Sequence, residues 1–424
     1  MIFFFVSALA GLLFDHFFVC FFTGHYGPVE DLDWDPKGRY LITTSKDQTT
    51  RIHALWKNQF WHEIARPQVH GYDLVCLAMV GANHRLASGA EEKLVRVFEA
   101  TSNFIENISA ITNNFDQFTG DQEFLTAQGA SVPSLGLSNK AVLDAKAETE
   151  IIPETDKHVK DQFPDFYFKP EVHDKPPPEE TLVQNTLWPE FQKLYGHGYE
   201  IFSIAANHSG SLFVSACKAA QSEHANIIVW QTEKWTKVAN LQNGHTLTVV
   251  QMAFSPNDKY LLSVSRDRTL SVWNMQQDYS LVFKTDKKTS IHQRIIWTCD
   301  WSNDSAYFVT GGRDKKCVIW SVEDQKPHSK QPLTFHSAVT AVAFAPIKDQ
   351  HVVVAGLENG ELFVSKYNVE SGWSSPKKIE QQSHHKTIKR IKFRPTADAD
   401  GTRFLLATCG LDHFVQVISI NFTE

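Results

Sequence analysis

The 424 residues carry 41 Lys and Arg against 48 Asp and Glu, a formal net charge of −7 at pH 7, so no global basic field draws the chain to nucleic acid. Hydrophobic content of 42% with eleven Trp suits a packed core, and the length exceeds one small domain while falling short of three. Six cysteines (Cys20, Cys76, Cys217, Cys299, Cys317, Cys409) are scattered with no CxxC pair, which excludes a paired-Cys zinc site and fits buried free thiols in a reducing cytoplasmic or nuclear setting.

Residues 1–23 form an apolar run without the basic start of a signal peptide, and Asp15-His16 interrupts it as a membrane helix. From Gly24 onward the chain reads as short apolar runs punctuated by turn residues. His25, His70, His245, His292 and His336 each open a unit. Twenty-two residues later stand Asp47, Glu92, Asp267, Asp314 and Glu358; twenty-eight residues later stand His53, Phe98, Trp273, Trp320 and Val364. Two further units carry five extra residues, placing His224 and Trp230 after His197, and Asp412 and Ile418 after His385. The fourth unit shows the pattern most plainly. Val249 to Phe254, Tyr260 to Val264 and Thr269 to Trp273 are three β-prone runs, separated by Ser255-Pro256-Asn257-Asp258 and Arg266-Asp267-Arg268.

Three strands with one apolar face need neighbours, and seven such units supply them. A period of 44 to 49 residues, with Gly-His early and Trp late, reads as an all-β, seven-bladed WD-repeat propeller spanning 24–424. The spacing predicts a buried network in which each histidine, just before the innermost strand, meets the acid of the next tight turn. His25 with Asp47, His245 with Asp267 and Trp273, His292 with Asp314 and Trp320, His197 with Trp230, and His385 with Asp412 are its members. A catalytic His–Asp dyad would not recur around a ring, so the role is structural. In such a propeller the outermost strand of each blade precedes its Gly-His, which leaves Phe17 to Phe22 placed to close the seventh blade beside Phe414 to Ile418. A terminal segment without a role, or an anchor, are the other readings of 1–23.

An insertion, 101–187, separates the second and third units. Its Pro-rich, charged KPEVHDKPPPEE stretch reads as surface loop, with one short helix in the remainder. The third unit has an enlarged turn, ACKAAQSEHAN. No GxxxxGK[ST], GxSxG or HExxH motif occurs, so no catalytic residue, cofactor, metal or small-molecule substrate is implied. The turns SRDRT and GRDKK place Arg266, Arg268, Arg313, Lys315 and Lys316 on one rim, either as a solvated face or as a local patch for an acidic protein surface or an RNA backbone.

The stretches VPSLGLSNKAV (132–142), PPPEETLVQNTLWPEFQKLYGHGYEIFSI (176–204) and SACKAAQSEHANIIVW (215–230) resemble the family of the second subunit of the Elongator complex, as do FSPNDKYLLSVSRDRTLSVW and HQRIIWTCDWSNDSAYFVTGGRDKK. The resemblance runs from about Gly24 to the end. It implies a non-catalytic scaffold of two seven-bladed propellers, of which this chain is similar to the C-terminal one. The family assembly modifies the wobble uridine of tRNA, with the chemistry on another subunit and other Elongator subunits as partners. A ubiquitin-ligase substrate receptor is the alternative, but Trp273 and Trp320 are followed by Asn274 and Ser321 rather than the Trp-Asp with a nearby Arg of that class. The irregular third unit points to an edge for partner binding, with Trp188, Phe191, Tyr195 and Tyr199 as contacts.

Overall fold

Short strands joined by tight turns, with apolar side chains on both faces, must stack face to face, and a ring of stacked sheets removes the two exposed ends. The computed structural model is such a ring. It describes residues 24–57, 60–119, 121, 125, 127–132, 138–143, 168–276, 278–286, 288, 290–323, 326–348, 350–379, 384–397, 401 and 403–422, with the backbone of 3–5 and 18–22. Seven antiparallel blades follow in order: blade 1 (29–69), blade 2 (74–99 with 190–195), blade 3 (201–241), blade 4 (249–284), blade 5 (296–334), blade 6 (339–378) and blade 7 (388–421 with 18–22 and 3–5).

In each blade the first strand lines the central channel and the later ones step outward. The last blade is built from both parts of the chain. Val415–Asn421 pairs antiparallel with Phe18–Phe22, in register Phe18 opposite Ser419 through Phe22 opposite Val415, and Phe3–Phe5 adds a further strand outside. Phe17 lies outside the described residues.

The core lies between blades rather than within them. Seven apolar clusters occupy the seven blade–blade interfaces; one joins Val214, Ile227 and Val229 of blade 3 to Met252, Phe254 and Trp273 of blade 4. Around the channel, side chains of one inner strand bond the backbone of the next. Asp31 and Asp33 of blade 1 accept from the Leu77 and Met79 amides of blade 2 at 3.2 and 3.0 Å. Gln251 exchanges two bonds with the Cys299 backbone, and Asp300 accepts from the Phe344 amide at 2.7 Å. Arg390 and Lys392 of blade 7 return to Asp31 and Asp33, each at 2.7 Å.

The insertion falls where the second and third repeats meet, which is inside blade 2, between that blade's third and fourth strands, because the sequence repeat starts one strand out of phase with the blade. Its first part is not surface loop. Thr101 caps helix α1 (Ser102–Thr112) by accepting from the Phe104 amide, and left-handed Asn113 ends it. Phe104, Ile105, Ile108 and Ile111 then enter the core shared by blades 1 and 2. Asp121 reaches the buried Arg39 and His84, and Glu179, opening helix α2 (Glu179–Gln184), takes both guanidinium nitrogens of Arg66 at 2.6 and 2.7 Å.

Trp188 belongs to the same core. It is fully buried, its ring meets Phe104 edge-on at 5.0 Å, and Asn139 bridges the Trp188 and Pro67 carbonyls. The place of Trp188 beside the irregular third unit suggested an exposed contact, but the insertion that covers it starts some ninety residues earlier and is invisible to local patterning. Trp188→Ala is therefore expected to destabilise the ring by roughly 3–5 kcal/mol, the cost of emptying a large aromatic site. Urea denaturation checks this, and a loss within about 0.5 kcal/mol would contradict the assignment of Trp188 to the core.

Candidate interaction face

Each inner strand starts four residues after one position: His25, His70, His197, His245, His292, Phe335 and His384. That residue sits at the end of the blade where the turn between the second and third strands also lies. In blade 5, His292 Nδ1 bonds Asp314 at 3.1 Å and Nε2 bonds Thr310 Oγ1 at 2.8 Å, while the Trp320 indole donates to the same hydroxyl at 3.0 Å. A carboxylate only accepts, so Nδ1 carries a hydrogen, and the Thr310 hydroxyl accepts from the indole. Blade 1 repeats this with His25, Asp47 at 2.7 Å and Thr43 at 2.9 Å. In blade 4 the acid stands further off: His245 Nδ1 is 3.6 Å from Asp267 and bonds Thr269 at 3.2 Å, which in turn donates to Asp267 at 2.6 Å. Ser263 completes that network between Nε2 and Trp273. Gly244 is obligatory beside it, since a Cβ there would overlap the Trp273 ring.

Burial opposes charge on these acids, but the bonds from their histidines outweigh it. Asp47 is held at about 2, and Asp267, Asp314 and Asp412 are likewise lowered. Burial lowers His25 and keeps its imidazole neutral.

Blade 7 corrects the choice of His385. The network histidine is His384, buried, with Nδ1 2.9 Å from Asp412 and Nε2 2.9 Å from Thr408; His385 is exposed and lends only its amide to Asp412. The adjacent His384-His385 pair admits two alignments, and only the four-residue step to the strand start separates them. Blade 6 is shifted the same way. Buried Phe335 takes the network position, and exposed His336 pairs with Glu361 at 2.6 Å instead of Glu358. Blade 3 keeps His197, bonded to Ser215 at 2.7 Å, and Trp230, bonded to the same hydroxyl at 2.8 Å, but no acid faces it. His224, at the acid's place, turns outward against the Tyr199 ring at 4.7 Å.

The edge of blades 2 and 3 exposes the remaining aromatics. Phe191 is 45% exposed beneath Arg85, Tyr195 67% and Tyr199 45%. The enlarged turn next to them is tied down: Ala219 donates to Thr248 of the following blade at 2.9 Å, and Lys218 reaches Glu91 of the preceding one. The basic turns of blades 4 and 5 lie on the same end of the ring as the histidine network. Arg266, Arg268, Arg313 and Lys315 are exposed there, whereas Lys316 turns back to donate to the Ile291 carbonyl at 3.2 Å. Arg268 and Lys315 hold left-handed backbone, with φ of 72° and 67°, directly after their buried acids.

One feature went unread in the sequence. Every inner strand bulges one residue after its start: Glu30, Val75, Phe202, Val250, Trp297, Thr340 and Lys389 are the skipped positions. A bulge re-aims its side chain, and all seven line one cavity of 170 Å³ at the channel mouth. The available signal was their spacing, five residues after each network position. Among the described residues no group of three or more His, Cys, Asp or Glu is placed to hold a metal, and no helix is long and apolar enough to cross a membrane.

Two outcomes test this geometry. Asp314→Ala and His384→Ala are each expected to cost roughly 1–3 kcal/mol in urea denaturation, because each strands a buried partner, while His385→Ala changes stability by no more than about 0.5 kcal/mol. The second concerns pH. Burial, aided by the charge of Lys237, lowers His197 from 6.5 to about 4. Between those values the unfolded chain carries a proton that the folded chain lacks, so stability falls as pH drops through this window. Thermal melts of His197→Gln should show a shallower fall there than the parent; an unchanged slope would rule His197 out as its source.

Comparison with known proteins follows the same lines. The WD domain, G-beta repeat model matches residues 17–53 and 235–274, and a beta-propeller domain model matches 257–424. Over 94% of its length the chain is 46% identical to Elongator complex protein 2 of Rattus norvegicus, 46% to that of Drosophila melanogaster and 33% to that of Schizosaccharomyces pombe. It spans 53%, 52% and 51% of those proteins, about half their length. With seven blades and the recurring histidine network, the chain is a seven-bladed β-propeller that matches the WD repeat and is similar, along 94% of its length, to Elongator complex protein 2.

Proposed function

We propose that the chain is a non-catalytic scaffold of an Elongator assembly in the cytoplasm and nucleus, supporting tRNA wobble-uridine modification by holding other Elongator subunits. What supports the assembly is the similarity along 94% of the chain to proteins named for that complex. Scaffolding is favoured by the spending of the His–Asp pairs on blade geometry: their nitrogens and oxygens are committed inward and none opens to a substrate.

The observation that carries the docking site is the edge of blades 2 and 3. Exposed Phe191, Tyr195 and Tyr199 stand beside a lengthened turn that has given up its structural acid. Aromatic side chains with cations over their faces anchor protein interfaces at small entropic cost. Trp188 is withdrawn from this set by its burial, leaving those three residues and the 218–225 turn.

Affinity purification with mass spectrometry of Tyr195→Ala/Tyr199→Ala, and of a chain with 218–225 shortened, tests the reading. Both variants should melt like the parent and recover at least tenfold less of the other Elongator subunits. Undiminished recovery from folded variants would remove this edge as the docking site.

A further inference from the structure

The seven bulged residues do not form a uniform ring. Val75, Phe202, Val250 and Trp297 make a continuous apolar arc across blades 2 to 5, each only half-buried, while Thr340, Lys389 and Glu30 complete the circle. The polar arc neutralises itself, since Lys389 Nζ stands 2.7 Å from Glu30. Apolar side chains aimed into an open mouth by a bulge are the part of this ring that blade stability leaves unused. At 170 Å³ the cavity falls well below the roughly 300–1,000 Å³ of a cofactor or drug-sized ligand and suits a single large side chain.

Charge beside the apolar arc is positive at blades 4 and 5, while the exposed Glu358 lines the mouth on its polar side. Arg266 and Arg268 of blade 4, and Arg294, Arg313 and Lys315 at blade 5, are exposed and have no ion-pair partner among the described residues. The acids of those same turns are turned inward, Asp267 to Thr246 and Thr269 and Asp314 to His292, and leave these two turns positive. Arg266 also leans over the Phe202 ring, its guanidinium carbon 5.2 Å from the centroid, joining rim to mouth. That contact takes up a face of Phe202 on which a nucleobase would stack, and Val75 and Val250 offer no flat surface, so Trp297 alone of the four leaves an aromatic face open and no run of stacked bases fits. The arc and the rim together therefore favour a peptide.

We propose that the channel mouth is a second docking site, separate from the blade 2–3 edge, for a net-acidic peptide segment of a partner protein. One aromatic or branched aliphatic side chain of that segment inserts between Phe202, Val250 and Trp297. Its flanking carboxylates meet Arg266, Arg268, Arg294, Arg313 and Lys315. The basic rim draws the segment in and sets its direction, and the apolar arc holds it.

A phage-displayed library of random dodecapeptides, panned against the full chain, supplies the probe, and fluorescein-labelled copies of the enriched peptides report affinity by anisotropy. The expected peptides are net negative with one large apolar residue. They bind Val250→Glu and Trp297→Ala at least tenfold more weakly, bind Arg266→Glu/Arg313→Glu at least tenfold more weakly, and lose affinity as salt rises. Replacing their apolar residue by alanine has the same effect, and Tyr195→Ala/Tyr199→Ala binds them normally. Thermal melts establish that each variant is folded. The proposal is overturned if no peptide is enriched, if enriched peptides are basic or lack an apolar anchor, if folded Val250→Glu and Trp297→Ala bind them undiminished, or if single-stranded oligouridylate binds the mouth and displaces them.

Discussion

A buried imidazole with both nitrogens committed is the device on which the blades depend. In blades 1, 5 and 7 one nitrogen donates to a buried carboxylate and the other bonds a strand hydroxyl, so the start of the inner strand is bolted to the turn between the next two. The residue after the acid is then forced into left-handed backbone: Gln48, Arg268, Lys315 and His413 all have φ near 70°. A non-glycine residue there costs free energy, and the acid offsets it by accepting from the amide beyond, as Asp267 does from Thr269 at 2.9 Å. The exposed cations of the rim thus owe their outward direction to a carboxylate pointing the other way.

Cohesion between blades follows a different rule. Neighbouring inner strands share no backbone ladder, so apolar packing and a few side-chain bonds to backbone must join them. Where the chain supplies long polar side chains, such as Gln251, Asp300 and Arg390, these bonds line the channel. Blades 1 and 2 have an additional support in helix α1 and Trp188, which makes the insertion part of the core it interrupts.

Much of this was legible in the residues. The recurrence of His and an acid 22 residues apart, with two units five residues longer, gave blade number and identified the network in blades 1, 2, 4 and 5. It failed where local identity was ambiguous: two adjacent histidines in blade 7, and Phe335 beside His336 in blade 6, look alike until the strand start is known. The burial of Trp188 was hidden because the helix that covers it is distant in sequence. Hidden too was the ring of bulges, since a bulge is a property of how two strands pair and leaves no residue preference strong enough to read: Glu30, Val75 and Trp297 have only their position in common.

The pairing of Phe18–Phe22 with Val415–Asn421 gives the fold a timetable. The outer strand of blade 7 is synthesised roughly four hundred residues ahead of its partner. At roughly 5–20 residues per second, that strand waits on the order of 20–80 s with its edge unpaired while blades 1 to 6 form. An unpaired strand is open to the wrong neighbours, so for this ring the interval during birth, rather than the finished state, is when a chaperone has most to protect.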